Sequence, residues 1–419
     1  MSILTPSVAN FQGRIIMSIK YNIAKLTGCW KTLALASLVL FPLTASATIT
    51  CSRNYSGRAN YIDQNVPILS NNVTVSALRD LPNGSVIFRQ YISNTDLQAL
   101  GIADCASTES GGEYIKLTQF LETEGARPAI VGNYQGVTVY STGVSGIGMA
   151  LGVTLSNSST SLSALPISSS SSKSTLNPEG GGYGVYYKGQ GFELLLIKMG
   201  NISPGVWSVP INYPAIIRYT QATNTTDMTK DYGYRWHING SVNVVAGTCQ
   251  TPDVTVPMGV HSLQDSTTTE WVDFNINLLN CPPMYGRYNR NSPDTSATAG
   301  IRWNSDSDYT TAGPDTANSI SFLLNPVSGY QTLAAGGECA TLTNDTDMAK
   351  GMCLEIQNRD AVNVLTNAKA NTRTDAKLAL QQTIASYAIP LRARYARNTQ
   401  SILRAGKADT AVEFTINYQ

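Results

Sequence analysis

Seven cysteines and two histidines are the side chains of this sequence best suited to bind a metal, form a disulfide or move a proton. With His237 and His261 as the only imidazoles, a three-histidine metal site cannot form within one chain. No two cysteines stand at C-x-x-C spacing and neither histidine is placed to complete a zinc set with them, so a structural zinc is not expected. A serine hydrolase of the elbow type needs G-x-S-x-G. Around Ser145 the run is Gly143-Val144-Ser145-Gly146-Ile147, with Ile147 where the second glycine must be. Asn304, Asp306, Asp308 and Asp315 follow the spacing of a calcium loop, but Tyr309 stands where an EF-hand needs glycine and Asp315 where it uses glutamate. Gly182 and Gly184 are followed by Tyr187, not by the third glycine of a dinucleotide fingerprint. Glu122 and Glu124 read as part of a solvated strand or loop. The expectation is a protein with no catalytic residues, no resident metal and no cofactor.

The cysteines gain meaning from the amino terminus. Residues 1–47 hold Arg14, Lys20, Lys25 and Lys31 but no acidic residue. An apolar run follows from Thr32 to Leu43, then the small-x-small sequence Ala45-Ser46-Ala47. This reads as a secretory signal peptide over 1–47, cleaved after Ala47. The apolar run, about 12 residues, is shorter than the roughly 20 that span a bilayer as a helix. Met17 opens a second, more ordinary signal (Met17-Ser18-Ile19-Lys20), so the start is Met1 or Met17. Cys29 leaves with the signal. The even set of six that remains, in an oxidising compartment, reads as a disulfide framework. Nearest-neighbour pairing is the simplest of the open connectivities: Cys51 with Cys105, Cys249 with Cys281, Cys339 with Cys353. Charged residues are 14% of the chain and the formal net charge is +1, which gives no electrostatic footprint for nucleic acid.

The elements that must position these residues are nearly all strands. Alternating or β-rich runs occur at 85–93, 136–141, 147–155, 192–198, 215–221, 241–246, 271–279, 319–324, 352–356, 387–394 and 410–418, separated by Gly, Pro, Asn and Ser clusters. Two short helices are expected. One spans 95–100, stopped by Gly101; the other spans 375–386 with Leu378, Leu380 and Ile384 as its apolar positions. The Ser-rich stretch 156–175 reads as a surface loop. Length and the cysteine-free gap between Cys105 and Cys249 suggest two domains, 48–237 and 238–419. In the last run, Val412, Phe414, Ile416 and Tyr418 alternate with polar or small residues, so they share one face of a strand. Such a strand is an ordinary edge strand or takes its neighbour from another chain.

The carboxyl-terminal half resembles a pilin domain of Gram-negative chaperone–usher fimbriae. Gly240-Ser241-Val242-Asn243-Val244 leading to Thr248-Cys249 is similar to the first pilin strand and first cysteine. Phe274-x-Ile276-x-Leu278-x-x-Cys281 is similar to the strand carrying the second. Gly351-Met352-Cys353-Leu354-Glu355-Ile356 and Ile389-Pro390-Leu391-x-Ala393-x-Tyr395 resemble two further pilin strands. Ala405-Gly406 followed by Val412-x-Phe414-x-Ile416-x-Tyr418-Gln419 resembles the terminal motif with its penultimate tyrosine. The pair Cys339 and Cys353 departs from that pattern and reads as a local staple.

The resemblance implies an all-β protein of two immunoglobulin-like β-sandwich domains, the second an incomplete pilin sandwich lacking its last strand. A periplasmic chaperone, and later the adjacent fimbrial subunit, would complete it by strand addition. Val412, Phe414, Ile416 and Tyr418 would form the chaperone and donor-strand interface, and an outer-membrane usher would assemble the fibre. The long segment before the pilin pattern resembles the receptor-binding domain of two-domain tip adhesins. Gly143-Val144-Ser145-Gly146-Ile147-Gly148, and Glu193–Gly200 with Ser203-Pro204-Gly205, are similar to turns and a strand of fimbrial lectin domains. The implied place is the fimbrium tip at the extracellular surface, after transient passage through the periplasm. The implied ligand is a host glycan or matrix-protein receptor. Tyr183, Tyr186 and Tyr187 in the glycine-rich 180–191 stretch, and Trp207, are the aromatic candidates to contact a sugar, against the alternative that each packs in the core. The other reading is a large structural or tip-adapter subunit with no receptor site.

Overall fold

Alternating or continuously apolar runs build the strands of this chain, and every stretch expected to be a strand carries one. The structure, a computed structural model, describes residues 49–53, 61–68, 73–92, 101–107, 115–154, 162–163, 165, 167–173, 183–186, 191–222, 233–262, 267–289, 301–303, 309–311, 313–343, 346–400 and 402–419. It is an all-β protein with two separate large cores.

Two sheets enclose the first core. One runs in the order Tyr309–Thr311, Ile301–Trp303, Val86–Ile92, Gly191–Lys198, Ile147–Thr154, Val137–Ser141, Ile130–Tyr134. The other runs Ile167–Lys173, Ile115–Glu124, Ala215–Ala222, Gly233–Ala246, Gly205–Asn212. Tyr61–Ile68 and Thr74–Ser76 lie parallel to Gly233–Ala246 in that second sheet. Phe88, Phe192, Leu194, Leu196, Trp236, Val242 and Val244 fill the space between the sheets, with the Phe192 ring edge-on to Trp236 at 5.0 Å.

The second core lies between the sheet Val272–Cys281, Ala385–Arg397, Met352–Asn358, Glu338–Ala340, Tyr330–Thr332 and a small sheet of Thr374–Asp375, Ile320–Pro326 and Val412–Tyr418. Cys249–Cys281 and Cys339–Cys353 are disulfide-bonded. Cys51 and Cys105 stand directly opposite one another in the paired strands Ile49–Arg53 and Gly101–Ser107.

Three expectations need correction. The segment Gly240–Val244 is not the opening strand of the second sandwich. It is the far half of Gly233–Ala246, and Val242 and Val244 belong to the first core. Gly240 lets that strand run on past Ile68: its φ is +140°, and a Cβ there would lie 2.8 Å from Cβ of Ile68. Residues 375–386 form no helix. Leu378 and Leu380 pack on the second core from an extended segment, Lys377 has φ 52°, and its N–H is held by Oδ1 of Asp375. Among the described residues the helix lies at Val364–Lys369, where the Asn363 side chain caps the N–H groups of Leu365 and Thr366. The Ser-rich stretch is not all loop: Ile167–Lys173 pairs antiparallel with Ile115–Glu124. The 95–100 helix lies outside the described residues.

The two sandwiches share a junction. Ser76 donates its N–H to O of Gly286 and its Oγ accepts from N–H of Tyr285. Tyr288 packs in the first core, and Leu78 of the first half packs in the second.

Candidate strand-acceptor groove

Val412–Tyr418 is the edge of its small sheet, paired on one side only, with Ile320–Pro326. Ser319 and Gln419 exchange both backbone hydrogen bonds, at 2.7 and 3.0 Å. Bonded pairs alternate along an antiparallel ladder, so residues 413, 415 and 417 also turn their backbone groups toward Ile320–Pro326. Residues 412, 414, 416 and 418 therefore turn their N–H and C=O groups outward, and their side chains face the core.

Across from this edge runs the segment 253–262, which joins neither sheet and turns at Gly259, φ +79°. Val254 and Met258 lean on the second core; Val260 stands free in solvent. Between the two walls is a cavity of about 860 Å³. Ile276, Leu324, Ile356 and Ala393, all buried, contribute to its floor, and Phe274, Val412 and Phe414 reach into it half-buried. The Tyr395 ring lies 6.1 Å from the His261 ring, and the hydroxyl of Tyr395 donates to O of Ala408. Burial pushes the Tyr395 hydroxyl pKa up, with Asp409 adding to it.

An apolar floor flanked by an unpaired strand edge can do one thing well. An extended peptide entering it would pair with the edge at about 4.8 Å and seat alternate apolar side chains on the floor. No group of three or more His, Cys, Asp or Glu that could hold a metal exists among the described residues.

Of the four motif residues, only Val412 and Phe414 line the cavity; Ile416 and Tyr418 are buried beyond its end. The segment 253–262 was missed from the sequence, although Val254, Val256 and Met258 alternate as a strand would. The aromatic ligand candidates are not gathered. Trp207 lies on the edge strand Gly205–Asn212, 36% exposed, its Nε1 donating to O of Ser203 at 2.8 Å. Tyr183 and Tyr186 are in a separate three-stranded sheet beside Gly101–Ser107, and Tyr187 lies outside the described residues. A second, shallow recess on the first sandwich, about 610 Å³, brings Asn65, Tyr213, His237 and Asn239 together. None of these was singled out as a ligand contact.

No protein-family model matches the chain, and no curated protein matches it. Among solved structures it is similar to the receptor binding domain of the plasmid-born adhesin MrkD1P of Klebsiella pneumoniae, at 17% identity and TM-score 0.28, over 48% of this chain and 98% of that one. It is similar to the CupB6 tip adhesin from Pseudomonas aeruginosa at 14% identity and TM-score 0.26, over 88% and 93%. A third likeness is to the CsuC–CsuE chaperone–tip adhesion subunit pre-assembly complex of Acinetobacter baumannii, at 11% identity and TM-score 0.22, over 88% and 100%.

Proposed function

We propose that this protein is a fimbrial tip adhesin whose second sandwich is completed by a strand from another polypeptide. First a periplasmic chaperone supplies that strand, then the adjacent subunit of the fibre, while an outer-membrane usher assembles the fimbrium. The first sandwich, filling the place a short donor extension would take, carries attachment to a host glycan or matrix protein at the distal end. One observation carries this reading: the open apolar groove beside the unpaired edge at Val412 and Phe414. The reading rests on that groove and on the terminal motif, and the low-identity likenesses add no weight to it.

The test is co-expression of the signal-bearing chain with a periplasmic chaperone of the chaperone–usher type. Soluble 1:1 complex is expected with the chaperone and degradation or aggregation without it, because the groove exposes apolar surface. Equal yield of soluble monomer in both cases overturns the strand-acceptor reading. The chaperone-capped full chain, applied to glycan and matrix-protein arrays, then tests the adhesin half. A chain cut at residue 237 is unsuitable, since the cut falls inside Gly233–Ala246. Folded complex with no array binding would favour a structural or tip-adapter subunit.

A further inference from the structure

The 412–418 strand is open along one half and closed along the other, and the closing group comes from the first sandwich. Val412 and Phe414 are half-buried and line the cavity; Ile416 and Tyr418 are 6% and 2% exposed and do not. At the closed half three outward backbone groups are taken, both of Tyr418 and the carbonyl of Ile416. The N–H of Tyr418 donates to Oδ2 of Asp80 at 3.0 Å, and its C=O accepts from N–H of Asp80 at 3.2 Å. Arg79 donates from Nη2 to O of Ile416 at 3.0 Å. Asp80 therefore holds the Tyr418 position much as a residue of a neighbouring strand would.

The turn that does this is itself anchored. Nε and Nη2 of Arg79 donate to Oδ1 and Oδ2 of Asp80 at 2.8 and 3.0 Å, and the guanidinium lies 5.5 Å from the Tyr418 ring centre. The buried Nζ of Lys198 donates to the carbonyls of Leu78 and Arg79. Leu81 returns its N–H to O of Leu78, and the Leu78 side chain sits in the second core. Lys198 belongs to Gly191–Lys198, a central strand of the first sandwich, so the turn is fixed to that scaffold.

We propose that the turn 78–81, with Asp80 as its working residue, is the end stop of the groove: it sets how far along Val412–Tyr418 a guest strand can pair. The guest is an extended segment with alternate apolar side chains, and it finds free backbone groups opposite Val412 and Phe414 and a blocked edge beyond them. This rests on the strand-acceptor reading of the same groove. It adds that the register of the guest is dictated by the first sandwich.

The full chain without its signal, released from its chaperone complex by denaturant and refolded dilute so that it does not aggregate, is tested against acetylated, lysine-tailed peptides of alternating Ile and Thr in graded lengths. Affinity and residue-resolved amide exchange are both read. In the native chain the Phe414 amide is expected to gain protection only with peptide, and the Tyr418 amide to be protected with or without it. Affinity rises with peptide length and levels off once the peptide reaches Ile416. In Asp80→Ala the Tyr418 amide exchanges at least about tenfold faster without peptide. The levelling-off point then moves out by about two residues, one repeat of a strand. Asp80→Asn, which keeps an acceptor for the Tyr418 N–H, restores much of the native behaviour. Arg79→Ala, on a half-exposed side chain, frees the Ile416 carbonyl and shifts the length limit in the same direction, which keeps the test readable if Asp80→Ala fails to fold. Phe414 protection with an unmoved length limit in both Ala variants overturns the end stop alone. No Phe414 protection by any peptide overturns the groove reading and the end stop with it.

Discussion

Gly233–Ala246 and Val412–Tyr418 are two strands written in the same alternation, and they end in different states. The first has neighbours along both edges: Tyr61–Ile68 and Thr74–Ser76 on one side, Ala215–Ala222 and Gly205–Asn212 on the other. Its inward residues Trp236, Ile238, Val242 and Val244 are all fully buried. The second has a neighbour on one edge only, and burial of its inward residues fails at Val412 and Phe414. Alternation decides which face a side chain takes; whether that face is covered depends on what lies beside the strand. The first sandwich is closed by its own chain, with Ile301–Trp303 from the second half even adding to its sheet. Among the described residues, the second sets no segment against its open edge except the turn at Asp80.

That contrast predicts unequal responses to truncation. Trp236→Ala removes a side chain that the closed core surrounds completely, and is expected to cost about 3–5 kcal/mol in denaturant unfolding followed by near-ultraviolet circular dichroism. A loss below about 1 kcal/mol would mean the first core is not the closed one. Close behind stands the buried ion pair of Arg89 and Glu193 in neighbouring strands of the same sandwich. Burial pushes the Glu193 carboxyl pKa up, against the pull of Arg89. Glu193→Gln leaves the Arg89 charge buried without its counter-ion, and about 3 kcal/mol of destabilisation is expected. Replacing both by Leu should recover most of it, which separates the charge from the packing.

Much of this was legible in the sequence because a strand's period is short and local. The motif Val412, Phe414, Ile416, Tyr418 declares one face by itself, and Asn363 before Val364-Leu365 is a readable helix cap that was passed over. What failed depends on distant partners. Gly240–Val244 resembles an opening strand, yet it continues Gly233–Ala246, with Ile68 packed close against Gly240. Leu378 and Leu380 stand two residues apart, a spacing that suits the non-helical chain they occupy and not a helix. The closed half of the acceptor strand could not be read at all, because Asp80 is 338 residues from Tyr418. Nor does anything in Tyr183 and Tyr186 state which sheet they join.

In the open sandwich the truncation to compare with Trp236→Ala is Phe414→Ala. Phe414 is half-buried in the free chain, so about 1 kcal/mol of stability should be lost without a guest. With a guest strand in place the same ring becomes fully buried, and the loss read as guest affinity should be about 2–3 kcal/mol, roughly 30- to 150-fold. Equal losses in the two states would show that Phe414 is already as enclosed as Trp236, and would remove the difference on which the groove rests.

The smallest expected effect tests the one place where the open sandwich is closed. Burial raises the Asp80 carboxyl pKa, but the Arg79 hydrogen bonds, the Tyr418 N–H and the charges of Arg79 and Lys198 together hold it below the usual carboxylate range. A carboxylate whose pKa is lower in the folded state gives stability that is present above its unfolded value, near 4, and lost as pH falls through the folded value. Protection of the Tyr418 amide should therefore be constant from neutral pH down to about 4 and fall below it. Asp80→Asn should flatten that dependence, since an amide does not titrate. The contribution is on the order of 1 kcal/mol, because Asp80 is partly exposed and water screens the pair. Protection that held unchanged through the acid range in the native chain would mean Tyr418 is kept closed by its own burial, and that the first sandwich does not hold the end of the groove.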